Sequence, residues 1–180
     1  MIKLIVSDMD GTLGNDEKKI DENIYQILPK LKEMGIRFVV ASGRQYCSLL
    51  SDFQEHTKDI VLCSENGAFI VDDGQELYAG CMTKEQVKMS LDAAYGVEGI
   101  EPVVCAKYVT YTTSQEMADF LGSPKFNYKM AVVDDLYHID EDIIKISMLV
   151  MNGEDTVAVK LENCFICADF VTPGPLTRET

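Results

Sequence analysis

The chain has 180 residues, with 16 basic against 30 acidic side chains and a formal net charge of -14. That balance disfavours a nucleic-acid backbone or an anionic membrane as partner, and no apolar run approaches the roughly 20 residues of a membrane span. The length suits one ordinary domain or a domain with a modest insertion. Asp8 interrupts the first apolar run, so no signal-peptide pattern is present and a cytoplasmic protein is expected.

Strand and helix alternate through the first 80 residues. "KLIVS" reads as a strand. Ile20, Ile24, Ile27, Leu28, Leu31 and Met34 then recur at helical spacing, Gly35 closes the helix, and Pro29 inside it is expected to kink or split it. "IRFVVA" is a second buried strand, "SGRQYCSLLSDFQ" turns into a helix, and "DIVLCS" is a third strand. Strands separated by helices imply a parallel sheet with right-handed crossovers. Residues 68 to 79 read as a hairpin around "DDG", after which the pattern becomes α+β. Thr83 and Gln86 form a capping box for a helix to about Tyr95. "EPVVCA" and "YVTYTT" follow as strands, then a helix from about Ser114, a strand in "YKMAVV", a strand in "DIIKISMLVM" and a helix near Glu154 to Glu162. The boundary between the two patterns is placed near residue 81. The six cysteines lack framework spacing and read as reduced thiols; "CFIC" at 164–167 has no second ligand pair and reads as packing.

Chemistry is concentrated where the parallel strands end, because ligands of open parallel sheets sit beyond the carboxyl ends of the strands. Asp8 falls at that edge of the first strand, Ser42 and Gly43 at that of the second, and Ser64 to Gly67 at that of the third. Asp8 and Asp10, two apart on extended chain, project to one side, where a hard cation such as magnesium relieves their repulsion. Gly11 permits a sharp turn that brings N–H groups toward an anion, Thr12 adds a hydroxyl, and Ser42 is placed to hydrogen-bond a phosphoryl oxygen. One carboxylate can attack phosphorus while the other protonates the leaving alcohol and later activates water.

"DMDGTL" resembles the first motif of the haloacid dehalogenase-like (HAD) superfamily, "VVASGR" its second, and "SENGA" a segment of the Cof-type (subfamily IIB) phosphatases, whose large cap follows the third strand. The resemblance is strongest over residues 1 to 80 and continues more loosely to "IIKISMLV". It implies an α/β fold, a Rossmann-like core with a parallel sheet plus an inserted α+β cap: 1–80 core, 81–170 cap, 171–180 tail, with the C-terminal part of the core lacking. It further implies Asp8 as nucleophile and magnesium ligand, Asp10 as general acid/base with its backbone carbonyl on the metal, and Ser42 as the phosphate-binding hydroxyl. Gly43, Arg44, Asn66 and Gly67 shape the rim. The expected function is magnesium-dependent hydrolysis of small phosphorylated metabolites, such as sugar phosphates or phosphorylated cofactors.

The superfamily's late lysine and its GDxxND motif have no counterpart after the cap pattern. "VVDDLYHID", with Asp134, Asp135 and Asp140, and Lys125 or Lys129 are the substitutes in the sequence; solvated loop acids are the blander reading. His56 and His138 receive no role. The alternative function is a degenerate HAD-like protein that binds a phosphorylated ligand with little or no turnover. An incomplete sheet is expected to leave an edge open to self-association into homo-oligomers.

Overall fold

The computed structural model describes residues 2–14, 20–150 and 170–171. Three β-prone runs, β1 (Leu4–Asp8), β2 (Arg37–Ala41) and β3 (Ile60–Ser64), pair in parallel in the order in which the chain makes them. They are joined by α1 (Asn23–Glu33) and α2 (Tyr46–Phe53). β4 (Phe69–Asp72) and β5 (Gln75–Ala79) extend the sheet as an antiparallel hairpin, giving the order β1-β2-β3-β4-β5. Asp73 and Gly74 both have positive φ at its tip, the geometry whose twist matches two flanking antiparallel strands.

α1 runs unbroken through Pro29, contrary to the expected kink or split. Its neighbour Leu28 is fully buried, so packing holds the helix where one backbone hydrogen bond is missing. Gly35 ends the helix at φ +70°, donating to the Lys32 carbonyl while Ile36 donates to that of Leu31, a paired closure that satisfies two terminal carbonyls.

Two successive right-handed crossovers in one direction put both helices on one face of the sheet. The register shows the consequence. Phe38, Val40, Ile60, Leu62, Phe69 and Val71 share the helix-covered face and are buried. Leu4 and Val6, which pair with Arg37 and Val39 on the opposite face, are 56% and 60% exposed. β1 is also the edge of the described sheet, so an apolar strand has one open face and one open edge.

The chain divides into two compact units, the first holding residues up to Gly80 together with Ser123–Lys129. The strand and helix pattern assigns 123–129 with the rest of 81–170, yet this stretch packs with the first unit. Its contacts explain why: Ser48 Oγ donates to the Phe126 carbonyl at 2.8 Å, and the Gln45 amide bonds both peptide groups of Lys129.

The second unit comprises Cys81–Gly122 and the described residues from Met130. α3 (Lys84–Tyr95) starts at the Thr83–Gln86 capping box, with both reciprocal bonds formed. β6 (Ile100–Ala106), β7 (Thr110–Thr112), β8 (Met130–Val132), β9 (Ile143–Val150) and β10 (Phe170–Val171) form a second sheet in the order β10-β9-β6-β7-β8. α4 (Gln115–Gly122) lies between β7 and β8 in sequence. Leu91, Val104, Ala106, Leu136, Ile143 and Ile146 form the core of this unit. The expected helix at 154–162, "CFIC" and the tail at 171–180 fall outside the described residues, apart from the backbone of Val171.

The one-sided sheet separates two kinds of apolar position. Leu28→Ala is expected to cost about 2–5 kcal/mol of stability, whereas Leu4→Thr and Val6→Thr change it by no more than about 0.5 kcal/mol. Urea denaturation measures both, and equal losses would mean that the Leu4 and Val6 face is covered.

Candidate active site

The carboxyl ends of β1, β2 and β3 are tied to one another by backbone hydrogen bonds beyond the strands themselves. Met9 N–H reaches the Ala41 carbonyl at 3.2 Å, Ser42 N–H that of Cys63 at 2.9 Å, Asn66 N–H that of Ser42 at 3.0 Å, and Glu65 N–H that of Arg44 at 3.0 Å. Three loops therefore form one rim.

Asp8 is the last residue of β1 and is exposed. The chain then folds over the buried Met9, whose carbonyl accepts N–H bonds from Leu13 at 3.1 Å and Gly14 at 2.8 Å. Gly11 takes φ +81° to make this turn. Its N–H donates to the Gly14 carbonyl and that of Thr12 to Met9, so both groups are engaged inside the turn while the residues themselves lie exposed.

Ser42 is 7% exposed, and its hydroxyl accepts the Arg44 N–H at 3.2 Å. A Cβ at Gly43 would meet Asn66 Oδ1 at 2.7 Å, so glycine there lets the second and third loops approach. Glu65, Asn66 and Gly67 have φ of +51°, +57° and +90°, three successive left-handed residues; for Glu65 that conformation is strained and is held by the loop's hydrogen bonds.

Arg44 organises the charges. Its Nε donates to Asp10 Oδ2 at 3.1 Å and its Nη2 to Asp10 Oδ1 at 2.5 Å, a two-pronged contact that fixes the plane of the carboxylate. The remaining Nη1 donates to Asp52 Oδ2 at 3.0 Å. Burial works against the Arg44 cation, but the hydrogen bond and charge of Asp10, followed by those of Asp52, hold its pKa above the ordinary value. Burial also pushes the Asp52 carboxyl up, against the pull of Arg44. Tyr25 on α1 donates its hydroxyl to the Asp52 carbonyl at 3.0 Å and stacks on His56, which ties the two helices together beneath this cluster.

Asp52 and Gln45 were not legible as site residues. An aspartate in "SLLSDF" beside buried Leu49 and Phe53 was the available signal, and it passes for a helix-surface acid until Arg44 is seen against it. Asp135 caps the short 3-10 turn at Leu136–His138, accepting from Tyr137 N–H at 2.8 Å and contacting His138 Nδ1. Asp134, Asp135 and Asp140 belong to the second unit, Lys125 and Lys129 to the first.

Among the described residues no group of three or more His, Cys, Asp or Glu side chains is gathered to hold a metal. Magnesium commonly takes only one or two carboxylates, with water and substrate phosphate completing the shell. Asp8 offers such a carboxylate, while both Asp10 oxygens face Arg44 and leave that residue its main-chain carbonyl. The donor set fits a partly hydrated magnesium ion and not a closed protein cage.

Known proteins resemble the chain in sequence and in fold. The family model described as haloacid dehalogenase-like hydrolase matches residues 5–165. The Escherichia coli (strain K12) 5-amino-6-(5-phospho-D-ribitylamino)uracil phosphatase YbjI is 30% identical over 149 residues, 82% of this chain and 55% of that protein. The solved structure of SMU.1108c from Streptococcus mutans UA159 superposes with a TM-score of 0.71 at 26% identity, covering 81% of this chain and 56% of that one. The HAD subclass IIB sugar phosphatase BT4131 shares the fold, with a TM-score of 0.62 at 18% identity over 80% of this chain and 57% of its own. The chain spans about half the length of the curated relatives it matches. It belongs to the haloacid dehalogenase-like hydrolase family.

Proposed function

We propose that this chain carries the nucleophile half of a magnesium-dependent phosphatase that hydrolyses small phosphate esters through an aspartyl-phosphate. The observation that carries the reading is the contrast between the two acids: Asp8 stands exposed at the end of β1, and Asp10 is clamped by Arg44 two residues on. YbjI is named for a phosphorylated ribitylamino-uracil and BT4131 for sugar phosphates, which supports small phosphorylated metabolites as the substrate class.

Magnesium held by Asp8, the Asp10 carbonyl and water would supply charge neutralisation for the phosphoryl oxygens. An Asp8 oxygen attacks phosphorus as the ester P–O bond breaks, and the leaving alkoxide takes a proton from Asp10. Water then attacks the phosphorus, Asp10 takes the water proton, and the Asp8–phosphorus bond breaks to release phosphate. Ser42, whose hydroxyl accepts the Arg44 N–H and keeps its own hydrogen to donate, orients the phosphoryl group. Both Asp10 oxygens are engaged as acceptors of the Arg44 fork. The acid step therefore requires the Arg44 contact to open or slide.

That closed contact favours a second reading in which a phosphorylated ligand binds with little or no turnover. Cys47, Cys63, Cys81 and Cys105 are not joined in disulfides, which fits a cytoplasmic protein, and among the described residues no helix is long and apolar enough to cross a membrane. The open Leu4 and Val6 face supports self-association.

Release of phosphate from p-nitrophenyl phosphate, with and without magnesium, distinguishes the two readings. Under the first, Asp8→Asn abolishes magnesium-dependent turnover while the melting temperature is kept; turnover at the parent rate in Asp8→Asn removes Asp8 as nucleophile. Arg44→Ala leaves Asp10 and Asp52 facing each other without their cation and is expected to lower stability by about 1–2 kcal/mol, a modest loss because Asp10 is half exposed. Arg44→Lys should recover only part of it, since an ammonium cannot reproduce the fork. Full recovery in urea titrations would show that charge alone suffices.

A further inference from the structure

Residues 123–129 lie along α2 in the first unit, held by side chains of that helix and its cap. Ser48 Oγ donates to the Phe126 carbonyl at 2.8 Å, and Asn127, itself at φ +55°, donates its amide to Ser51 Oγ at 3.0 Å. The strongest attachment is at Gln45. Its Oε1 accepts the Lys129 N–H at 2.7 Å and its Nε2 donates to the Lys129 carbonyl at 3.1 Å. Gln45 is completely buried, and a buried amide is costly unless both its ends are matched. Here both are matched to one residue, which fixes the backbone of Lys129 at the start of α2.

The side chain so placed is a cation in a chain of net charge -14. Gln45 follows Arg44 directly and Ser42 by three residues, so Lys129 is anchored beside the phosphate-ester rim. Its neighbours agree: burial pushes the Cys47 thiol up, the Lys129 charge pulls it down, and Glu65, at the end of β3, pushes it up again. Arg44 is engaged by Asp10 and Asp52, whereas no carboxylate among the described residues lies within ion-pair distance of Lys129. A lysine serving the nucleophile would sit against Asp8, and this one is paired with neither Asp8 nor Asp10.

We propose that Lys129 is a specificity-determining residue that binds a second anionic group of the substrate, beyond the phosphoryl group, so that the site favours phosphate esters carrying two negative centres. The proposal rests on the phosphatase reading above and extends it to a substrate class. The rotatable ammonium of Lys129 suits a carboxylate or second phosphate carried by the leaving group, and its attachment through Gln45 positions that charge without immobilising the side chain.

Two non-hydrolysable probes separate the contributions: phenylphosphonate, with one anionic group, and 4-carboxyphenylphosphonate, with two. Calorimetric titration of the whole chain in the presence of magnesium is expected to show tighter binding of the carboxylated probe. Lys129→Gln should weaken that probe about tenfold, as for loss of a charge-assisted contact, and the plain phosphonate less than about twofold. Lys125→Gln, in which the lost ammonium lies 5.3 Å over the Phe126 ring, should change neither. Equal weakening of both probes, or of neither, overturns the role given to Lys129, with an unchanged melting temperature excluding misfolding. Failure of the parent chain to bind either probe overturns the phosphate-ester reading itself.

Discussion

Parallel pairing of β1 with β2 and of β2 with β3 brings three strand ends into one line, and every part of the candidate site takes its position from that register. Asp8 pairs with Ala41, and Ala41 with Cys63, so the next residues of each loop emerge side by side. The backbone bonds from Met9, Ser42, Glu65 and Asn66 then cross between loops and leave little freedom at the rim. Gly43 is needed for lack of space beside Asn66, and Gly67 for its positive φ.

On the proposed phosphatase reading, an acidic chain must accept an anion at the rim. Asp8 and Asp10 alone would repel a phosphate. Arg44 neutralises Asp10 and is itself held by Asp52, which leaves Asp8 as the exposed carboxylate available to a cation. Arg44 thus offsets part of the acidic charge at the rim, and Gln45 fixes the backbone of a further cation, Lys129, in a chain of net charge -14.

The same topology that builds the rim leaves the sheet one-sided. Helices from two same-direction crossovers cover Phe38, Val40, Ile60 and Leu62, and nothing among the described residues of the first unit covers Leu4 or Val6 to that degree. An apolar edge strand with an open face is a costly surface in water. In this chain it lies on β1, which ends in Asp8, so whatever shields that face also bears on the order of Asp8.

The sequence by itself determined the local elements and the identity of the paired acids. Alternation of apolar runs and helical spacing marked β1 to β3, the capping box marked α3, and "DDG" marked the hairpin, because each of these is set by interactions within a few residues. The motif "DMDGTL" singled out Asp8 and Asp10, although β1 ends at Asp8 and the turn over Met9, not extended chain, carries Asp10. The tertiary structure decided what depends on distant partners. Pro29 is carried inside an unbroken helix because burial of Leu28 outweighs one missing bond. Arg44 reaches Asp10 over 34 residues of sequence, and Gln45 recruits Lys129 over 84. No spacing rule encodes such pairs; they exist only once the sheet, its helices and the stretch at 123–129 have been packed together.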